Sequence, residues 1–384
     1  MSTAEIILII FTAVAAGLYF YLVNEFTSGW KKLEEFPVPA ESAGTNVSVI
    51  IPFRNEYKNL RRTCHNLSVL DYPESLLEVI FVDDHSGDGS SRLIDGFVKE
   101  GAFKFDVTVL KLSVKEGSSK KAALKKGIGK ARGRLIVTTD ADCSFGPSWV
   151  KSLVAVYEKT SSKILWGPVR YRPGRGLLLK FYTLEFISLV TSGGGSAGAG
   201  KPFICNGANM AFERSAFDDV NGYEGNEKYA SGDDVFLLHK ITKKYGAGAA
   251  MFVRKEQAII DTAPPESLSS FLLQRIRWAS KSTGYRERQS VLVTATVFLF
   301  NLLLGFLGMS IFIEPLMAIP FAAILLIKSG FDYRLLSKGA GFLGYNFSIP
   351  LLLVFELVYI PYVVATGIIS TLFSYSWKGR SGVK

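Results

Sequence analysis

The sequence predicts an α/β protein: a mostly parallel sheet flanked by helices, with transmembrane helices at the N- and C-terminal ends. Three observations carry this. Short apolar, β-branched runs recur at near-regular spacing between Asn46 and Thr139, with helix-like stretches in the gaps, and such alternation builds a parallel sheet. Ile6 to Val23 carries no charge over 18 residues, near the minimum for a membrane-spanning helix. Past Arg288 the chain turns apolar again, with no charged residue from Val291 to Ile313.

Composition sets the bounds. A chain of 384 residues makes one large or two modest domains. Apolar residues are 48% of it and its mean hydropathy is positive, which points to a membrane share. The net charge of +10 is not gathered in a lysine-rich tail or a basic stripe with interleaved aromatics, so nucleic acid is excluded as the expected partner. Lys31, Lys32, Arg286, Arg288, Lys378 and Arg380 instead flank the apolar segments, as suits a cytoplasmic, anionic leaflet. Three scattered cysteines (Cys64, Cys143, Cys205) make no disulfide framework and fit a reducing compartment. Three histidines, His65, His85 and His239, argue against a zinc site built on paired imidazoles.

Taken in order, residues 1–26 form the anchor. Glu5 rather than a basic flank precedes the apolar run and no clear small-residue cleavage site follows, which favours a retained helix over a signal peptide. Lys31 and Lys32 place the next domain in the cytoplasm. A linker with Pro37 and Pro39 leads to strands at 47–51, 78–82, 107–110 and 135–139. Leu60, Leu67 and Leu70 give helical spacing over 57–70, and a second helix covers 120–131. The strands are apolar throughout, as when helices cover both faces. Beyond Asp142 come a helix over 177–190, a glycine-rich loop over 192–200, a segment over 205–217, a helix running from Gly232 to Lys243, and another over 268–281. Three membrane segments then fill 290–376: 291–313, a short one at 315–327, and 347–373, which holds Glu356 and Pro361. Four spans leave the basic tail 378–384 on the far side from the catalytic part, against the positive-inside tendency. Either one segment lies in the interface or the last is broken at Pro361.

The chemistry-bearing stretches sit at strand ends, where open α/β sheets bind ligands. The run Leu135–Thr139 ends in Asp140-Ala141-Asp142. Two carboxylates at i and i+2 suit a hard divalent cation on a phosphate; they equally suit a helix cap and a solvated turn. The second strand ends in Asp83-Asp84-His85-Ser86-Gly87, where a carboxylate could meet a base N–H or ribose hydroxyl, or cap the next helix. The first ends in Pro52-Phe53-Arg54-Asn55-Glu56. Gly117–Leu124 opens a helix with Lys120 and Lys121, suited to a phosphate or to a solvated lysine face; it lacks Walker spacing. Ser231-Gly232-Asp233-Asp234 offers a general base or a helix cap. Gln274-Arg275-Ile276-Arg277-Trp278 offers cations for a departing diphosphate and an indole for a sugar, or a juxtamembrane anchor. Gly193–Gly198 matches both Gly-x-Gly-x-x-Gly and Gly-x-Ser-x-Gly, but a helix rather than a strand precedes it, so neither motif applies.

This ordered set, over roughly Asn46 to Arg286, resembles family-2 glycosyltransferases of the GT-A fold, in particular the membrane-anchored branch of cellulose, chitin, hyaluronan and ceramide-glucosyl synthases. The resemblance implies a GT-A nucleotide-sugar-binding domain over 46–286. It implies a donor site of Pro52, Arg54, Glu56, Asp83, Asp84, Lys121 and Asp140, with Asp84 on the uracil. Asp140 and Asp142 match the Asp-x-Asp motif for Mg²⁺ or Mn²⁺. Asp234 takes the place of the general base. Asn209, Asp233, Gln274, Arg277 and Trp278 fall at the acceptor and diphosphate site, and Gln274-x-x-Arg277-Trp278 matches its motif in full. Gly232-Asp233 departs from the usual Thr-Glu type pair, and His85 from a usual small or polar residue.

The function implied is inverting, metal-dependent transfer of a sugar from a nucleotide sugar, UDP-linked by the resemblance, to a lipid or saccharide acceptor. The protein is then an integral protein of the cell's inner membrane with a cytoplasmic catalytic domain, and membrane lipids are among its partners. About four membrane segments are few for a polymer channel, which favours a lipid acceptor at least as much as a processive polysaccharide synthase. A non-catalytic membrane scaffold would be expected to have lost at least one of these motifs, and a nucleotidyltransferase would release pyrophosphate instead.

Overall fold

A computed structural model describes residues 2–36, 44–226 and 232–372, with two short strands at Ser376–Trp377 and Arg380–Ser381. The linker prolines Pro37 and Pro39, Ser231, and most of the basic tail lie outside the described residues. The chain opens with α1 (Thr3–Lys32). Then follow β1 (Val47–Phe53), α2 (Tyr57–Ser68), β2 (Leu77–Asp83), α3 (Ser90–Lys99), β3 (Asp106–Lys111), α4 (Lys120–Lys130) and β4 (Leu135–Thr138). Next are β5 (Ser144–Phe145), α5 (Trp149–Thr160), β6 (Ile164–Trp166), β7 (Val169–Tyr171), α6 (Leu177–Gly198), β8 (Met210–Glu213) and α7 (Arg214–Asp219). The rest is α8 (Asp233–Tyr245), β9 (Ala250–Phe252), β10 (Ile260–Thr262), α9 (Leu268–Ser280), α10 (Arg288–Ser310), α11 (Ala318–Leu343) and α12 (Ile349–Leu372).

Two compact units result. Leu33–Gly174 and Pro202–Pro264 form the sheet unit; Met1–Lys32, Arg175–Lys201 and the chain from Pro265 form the helical one. Residues 175–201 and 265–286, which sequence alone places within a 46–286 domain, thus group with the helices.

In the sheet unit seven strands run in the order β3-β2-β1-β4-β8-β6-β9. The neighbours β3, β2, β1 and β4 are parallel, while β8 runs antiparallel to both β4 and β6. β1, β2 and β4 are buried along their whole length, which is why they read as mainly apolar runs; the buried polar residues Ser48 and Glu78 bond to one another across β1 and β2. β3 is the edge and keeps exposed positions. Parallel pairing brings the carboxyl ends of β2, β1 and β4 to one side of the sheet: Asp83 is level with Phe53, and Thr138 with Ile50. Because β8 is antiparallel, its first residue, Met210, pairs with Thr138, so the loop before β8 reaches the same side. A small second sheet has the order β5-β10-β7.

In the helical unit, α1, α10, the segment Pro315–Leu343 and α12 are long and apolar enough to cross a membrane. On α1 a stripe of Ile7, Ile10, Phe11, Val14, Leu18 and Tyr21 is exposed, as suits a lipid-facing surface. Two expectations are corrected. The glycine-rich 192–200 stretch is not a loop: residues through Gly198 continue α6. Glycine is required there by close helix packing, since a Cβ on Gly195 would stand 2.3 Å from the Phe26 carbonyl oxygen of α1, and one on Gly29 would stand 2.0 Å from that of Gly195. Small residues at such crossings let backbones touch. The short 315–327 segment is likewise the front of a longer helix. Lys328, which ends the apolar run in sequence, is wholly buried. Its Nζ lies 2.7 Å from Asp332 Oδ2 and also pairs with Glu356 of α12. Tyr19 of α1 donates its hydroxyl to Asp332 at 2.9 Å. Pro361 lies inside α12 and does not end it.

Adding a methyl at Gly29 or Gly195 forces two backbones apart, an overpacking strain on the order of 1–3 kcal/mol. We expect Gly29→Ala and Gly195→Ala to lower the melting temperature in detergent, whereas Gly17→Ala, with nothing within 4 Å of its Cβ position, should leave it unchanged.

Candidate active site

The carboxyl ends of β1, β2 and β4 carry Glu56, Asp83, Asp84, Asp140 and Asp142, and each has a polar neighbour. After β4, the turn Asp140-Ala141-Asp142 is fastened to α2. Thr63 Oγ1 donates to the Ala141 carbonyl at 2.8 Å and Arg62 Nη2 to that of Asp142 at 3.2 Å. Thr262 Oγ1 of β10 reaches Asp142 Oδ2 at 3.4 Å. The Asp140 side chain is the outward one, 37% exposed.

After β2, the two aspartates divide. Asp83 is turned into its own loop, accepting from the Ser86 N–H at 2.8 Å and from the Ser91 hydroxyl. Asp84 Oδ1 lies 4.0 Å from Arg54 Nη1 and 3.0 Å from His85 Nδ1. Arg54 also donates to Ser118 Oγ, at 2.6 Å. Pro52 is buried in β1. Glu56 stands at the start of α2, where its Oε2 accepts from Asn59 at 2.7 Å and its N–H donates to Ser90 Oγ at 3.0 Å.

Asp233 and Asp234 occupy the first turn of α8, where the N–H groups and dipole of a helix start favour negative charge. Asp234 Oδ2 accepts from the Gly207 N–H at 3.1 Å, and its Oδ1 from the Val235 N–H at 2.7 Å. Thr138, at the end of β4, donates to the Gly207 carbonyl at 3.0 Å. Gly207 fits closely: a Cβ there would stand 3.2 Å from Asp234 Cβ and 3.3 Å from Asp233 Oδ2, tighter than most such contacts. The strand bearing the Asp-x-Asp turn and the helix bearing the acid pair therefore share one loop. Asn209, expected in the acceptor site, holds that loop from below. It is fully buried, accepts from Trp149 Nε1 at 3.0 Å, and donates to the carbonyls of Pro168 and Ala258 at 2.9 and 2.7 Å.

The two lysines that open α4 part company. Lys121, expected at the donor, points into the unit. Its Nζ donates to the Asn226 carbonyl at 2.6 Å and lies over the Phe236 ring. Lys120 faces the acids instead, 2.6 Å from Asp140 Oδ1 and 3.7 Å from Asp233 Oδ2. Burial works against its charge, but Asp140, Asp233 and Asp234 outweigh that and raise its pKa well above the ordinary lysine range. The sequence signal was the pair of lysines; which one faced the acids depended on helix phase. Tyr223 was not anticipated. Its hydroxyl is buried with no hydrogen-bond partner among the described residues, and burial, then the charges of Asp233 and Asp234, push its pKa well up. Gln274, Arg277 and Trp278 lie on α9, in the helical unit.

The Asp140–Asp142 turn offers carboxylate oxygens, the donor chemistry of a magnesium or manganese ion. No cluster of three or more His, Cys, Asp or Glu suited to a metal occurs among the described residues. Two carboxylates are nevertheless the usual protein share for an ion whose other ligands are water and phosphate. Residues Asp140 and Asp142 therefore fit the group. The Lys120 ammonium lies against Asp140, so positive charge already balances one of these two acids.

We expect Lys120→Met to lower the melting temperature in EDTA, a loss on the order of 1–3 kcal/mol for acids left without their partner. Millimolar Mg²⁺ should recover part of it. Lys121→Met should show no such recovery. Equal behaviour of the two variants would remove Lys120 from the charge balance of the site.

Comparison with known proteins agrees with this architecture. Over 237 residues the chain is 28% identical to the probable glycosyltransferase YdaM of Bacillus subtilis, covering 61% of this chain and 54% of that one. Over 240 residues it is 26% identical to a poly-β-1,6-N-acetyl-D-glucosamine synthase of Staphylococcus epidermidis, covering 61% and 53%. The match thus spans about half the length of these relatives. The mannosyltransferase PcManGT of Pyrobaculum calidifontis, solved with GDP-Man and Mn²⁺, superposes with a TM-score of 0.63 at 20% identity, over 96% of this chain and 99% of that one, and so shares the fold. The glycosyl transferase family 2 model matches residues 48–220. The model of glycosyl transferase family group 2 matches residues 135–375, more than half of the chain, and the chain belongs to that family of glycosyltransferases.

Proposed function

We propose that this enzyme moves a sugar from a nucleoside diphosphate sugar to a hydroxyl of a lipid or saccharide at the cytoplasmic face of the inner membrane, with inversion at the anomeric carbon. The observation that carries the proposal is the gathering of Asp84 with Arg54, the Asp140–Asp142 turn, Lys120, and the Asp233–Asp234 helix start on one side of one sheet.

In this reading Asp84 receives a donor N–H of the base, and Arg54 steadies it. Asp140 and Asp142 are the residues that would hold Mg²⁺ or Mn²⁺, which when bound supplies positive charge to the departing nucleoside diphosphate. Lys120 adds a second positive charge beside Asp140. Asp234 takes the proton of the acceptor hydroxyl. The acceptor oxygen then bonds to the anomeric carbon as the bond from that carbon to the diphosphate oxygen breaks. The proton ends on Asp234 and the electron pair on the diphosphate. Attack from the opposite face inverts the configuration. Asp233 stays beside Lys120 and shapes the pocket for the acceptor. Gln274, Arg277 and Trp278 keep the roles the resemblance gives them, Arg277 for the diphosphate and Trp278 for a sugar ring. UDP is the expected nucleotide, and GDP-mannose belongs in the donor panel because the neighbour of like fold binds it. The four apolar helices, with Lys31 and Lys32 at the end of α1, support a membrane protein with its sheet unit inside the cell.

The test uses membranes holding the protein, Mn²⁺ and labelled nucleotide sugars. Asp234→Asn should keep nucleotide affinity and lower transfer by about 10²-fold or more; unchanged transfer would take the base role from Asp234. Asp142→Ala should abolish the gain in nucleotide affinity that Mn²⁺ gives. Label that enters the organic phase marks a lipid acceptor, and label in aqueous high-mass material marks the alternative, a processive synthase like the poly-N-acetylglucosamine relative.

A further inference from the structure

The Gln-x-x-Arg-Trp stretch has a residue inside it that the motif leaves open. Arg275 is 3% exposed, and each of its three guanidinium nitrogens donates a hydrogen bond. Nε donates to Glu185 Oε1 of α6 at 2.8 Å, and Nη2 donates to the other oxygen of the same carboxylate. Glu185 is itself buried and accepts a third hydrogen bond, at 3.1 Å, from the Tyr362 hydroxyl of α12. The remaining arm, Nη1, donates to Gln274 Oε1. The guanidinium carbon lies 4.3 Å from the centre of the Trp278 ring. One side chain therefore touches both ends of the motif, while helices α6 and α12 hold it in place.

A guanidinium carries donors only. The Gln274 atom facing it has to be the oxygen, which turns the amide nitrogen away with its N–H groups to offer. Glu185 neutralises Arg275, so the charge of this pair is spent within the protein, and the cationic role in the motif is left to Arg277. A bidentate, buried Arg–Glu pair gives weak net stability against an apolar replacement, but it fixes geometry well. We propose that Arg275, braced by Glu185 and Tyr362, is a positioning residue for glycosyl transfer: it makes Gln274 a hydrogen-bond donor toward an oxygen of the substrate, and it orients the Trp278 indole. This rests on the reading that Gln274 and Trp278 serve the reaction.

The experiment compares four variants of the full chain in detergent, measuring melting temperature, donor KM and kcat by nucleoside diphosphate release. Gln274→Glu is the sharpest. It gives Arg275 a better partner, so a purely structural role predicts equal or higher stability with activity kept. The proposal predicts equal or higher stability with kcat lowered by about tenfold or more, because a carboxylate oxygen replaces the outward N–H groups. Arg275→Lys keeps the charge but cannot serve Glu185, Gln274 and the indole together; kcat should fall by about tenfold with donor KM little changed. Gln274→Ala and Trp278→Ala report on the motif itself. If those two lose transfer while Gln274→Glu and Arg275→Lys retain it, the positioning role is overturned and the motif reading stands. If Gln274→Ala and Trp278→Ala retain transfer as well, the motif reading fails with it. Should Arg275→Lys not fold, Glu185→Asp decides: it keeps Gln274, Arg275 and Trp278 but shortens the carboxylate that holds the guanidinium, so kcat should fall with donor KM little changed, and an unchanged kcat would overturn the positioning role.

Discussion

Charge density at one side of the sheet is the constraint on which the rest of the sheet unit depends. Asp140, Asp233 and Asp234 all act on the Lys120 ammonium, and like charges this close disfavour one another unless something positive lies among them. Three devices make the cluster tenable. Lys120 provides a fixed cation. The start of α8 provides backbone N–H groups, one of which Asp234 takes directly. The loop at Gly207 provides another, and the absence of a side chain there leaves room for the close approach. A site built this way still carries more negative than positive charge, which favours a further cation there and disfavours an anion that comes without one.

Topology decides which chain segments can contribute. Three parallel strands deliver their carboxyl ends to one side, which brings Arg54, Asp84 and the Asp140–Asp142 turn together without any long connection. The reversal at β8 then matters, because an antiparallel neighbour delivers its amino end there. Residues 205–209 are consequently set under Asp233 and Asp234, and Asn209 is consumed in holding them. Its amide meets Trp149 and two carbonyls, a brace for the site and not a group offered to a ligand.

What the sequence made legible follows from the same physics. Buried parallel strands are mainly apolar on both faces, so β1, β2 and β4 stand out as runs despite the paired Ser48 and Glu78, and the acids after them stand out as interruptions. What stayed hidden depended on partners distant in the chain. Helix phase assigned Lys120 and not Lys121 to the acids. The glycines after Thr191 suggested a loop because their helix is made by contact with α1, where only bare backbone fits. Lys328 suggested the end of an apolar segment because Glu356, on another helix, neutralises it. Strands of two or three residues, β5 to β7 and β9 to β10, are too short to show a period at all.

The helical unit repeats this lesson with a functional turn. Charged groups among apolar helices persist only when paired, since each alone is costly in a low-dielectric setting. The unit holds two such clusters, Lys328 with Asp332, Glu356 and Tyr19, and Arg275 with Glu185 and Tyr362. The first ties α1, α11 and α12 to one another and touches none of the motif residues. The second spends one of its arms on Gln274 and lies against Trp278. Two clusters of similar chemistry thus differ in what they touch: the first lies among helices alone, and the second also meets an amide and an indole of the motif. Position 275 is next to Gln274 and three before Trp278 on one helix, so an arginine that joins α9 to α6 there meets both side chains, and one pair is at once a helix joint and a neighbour of the motif.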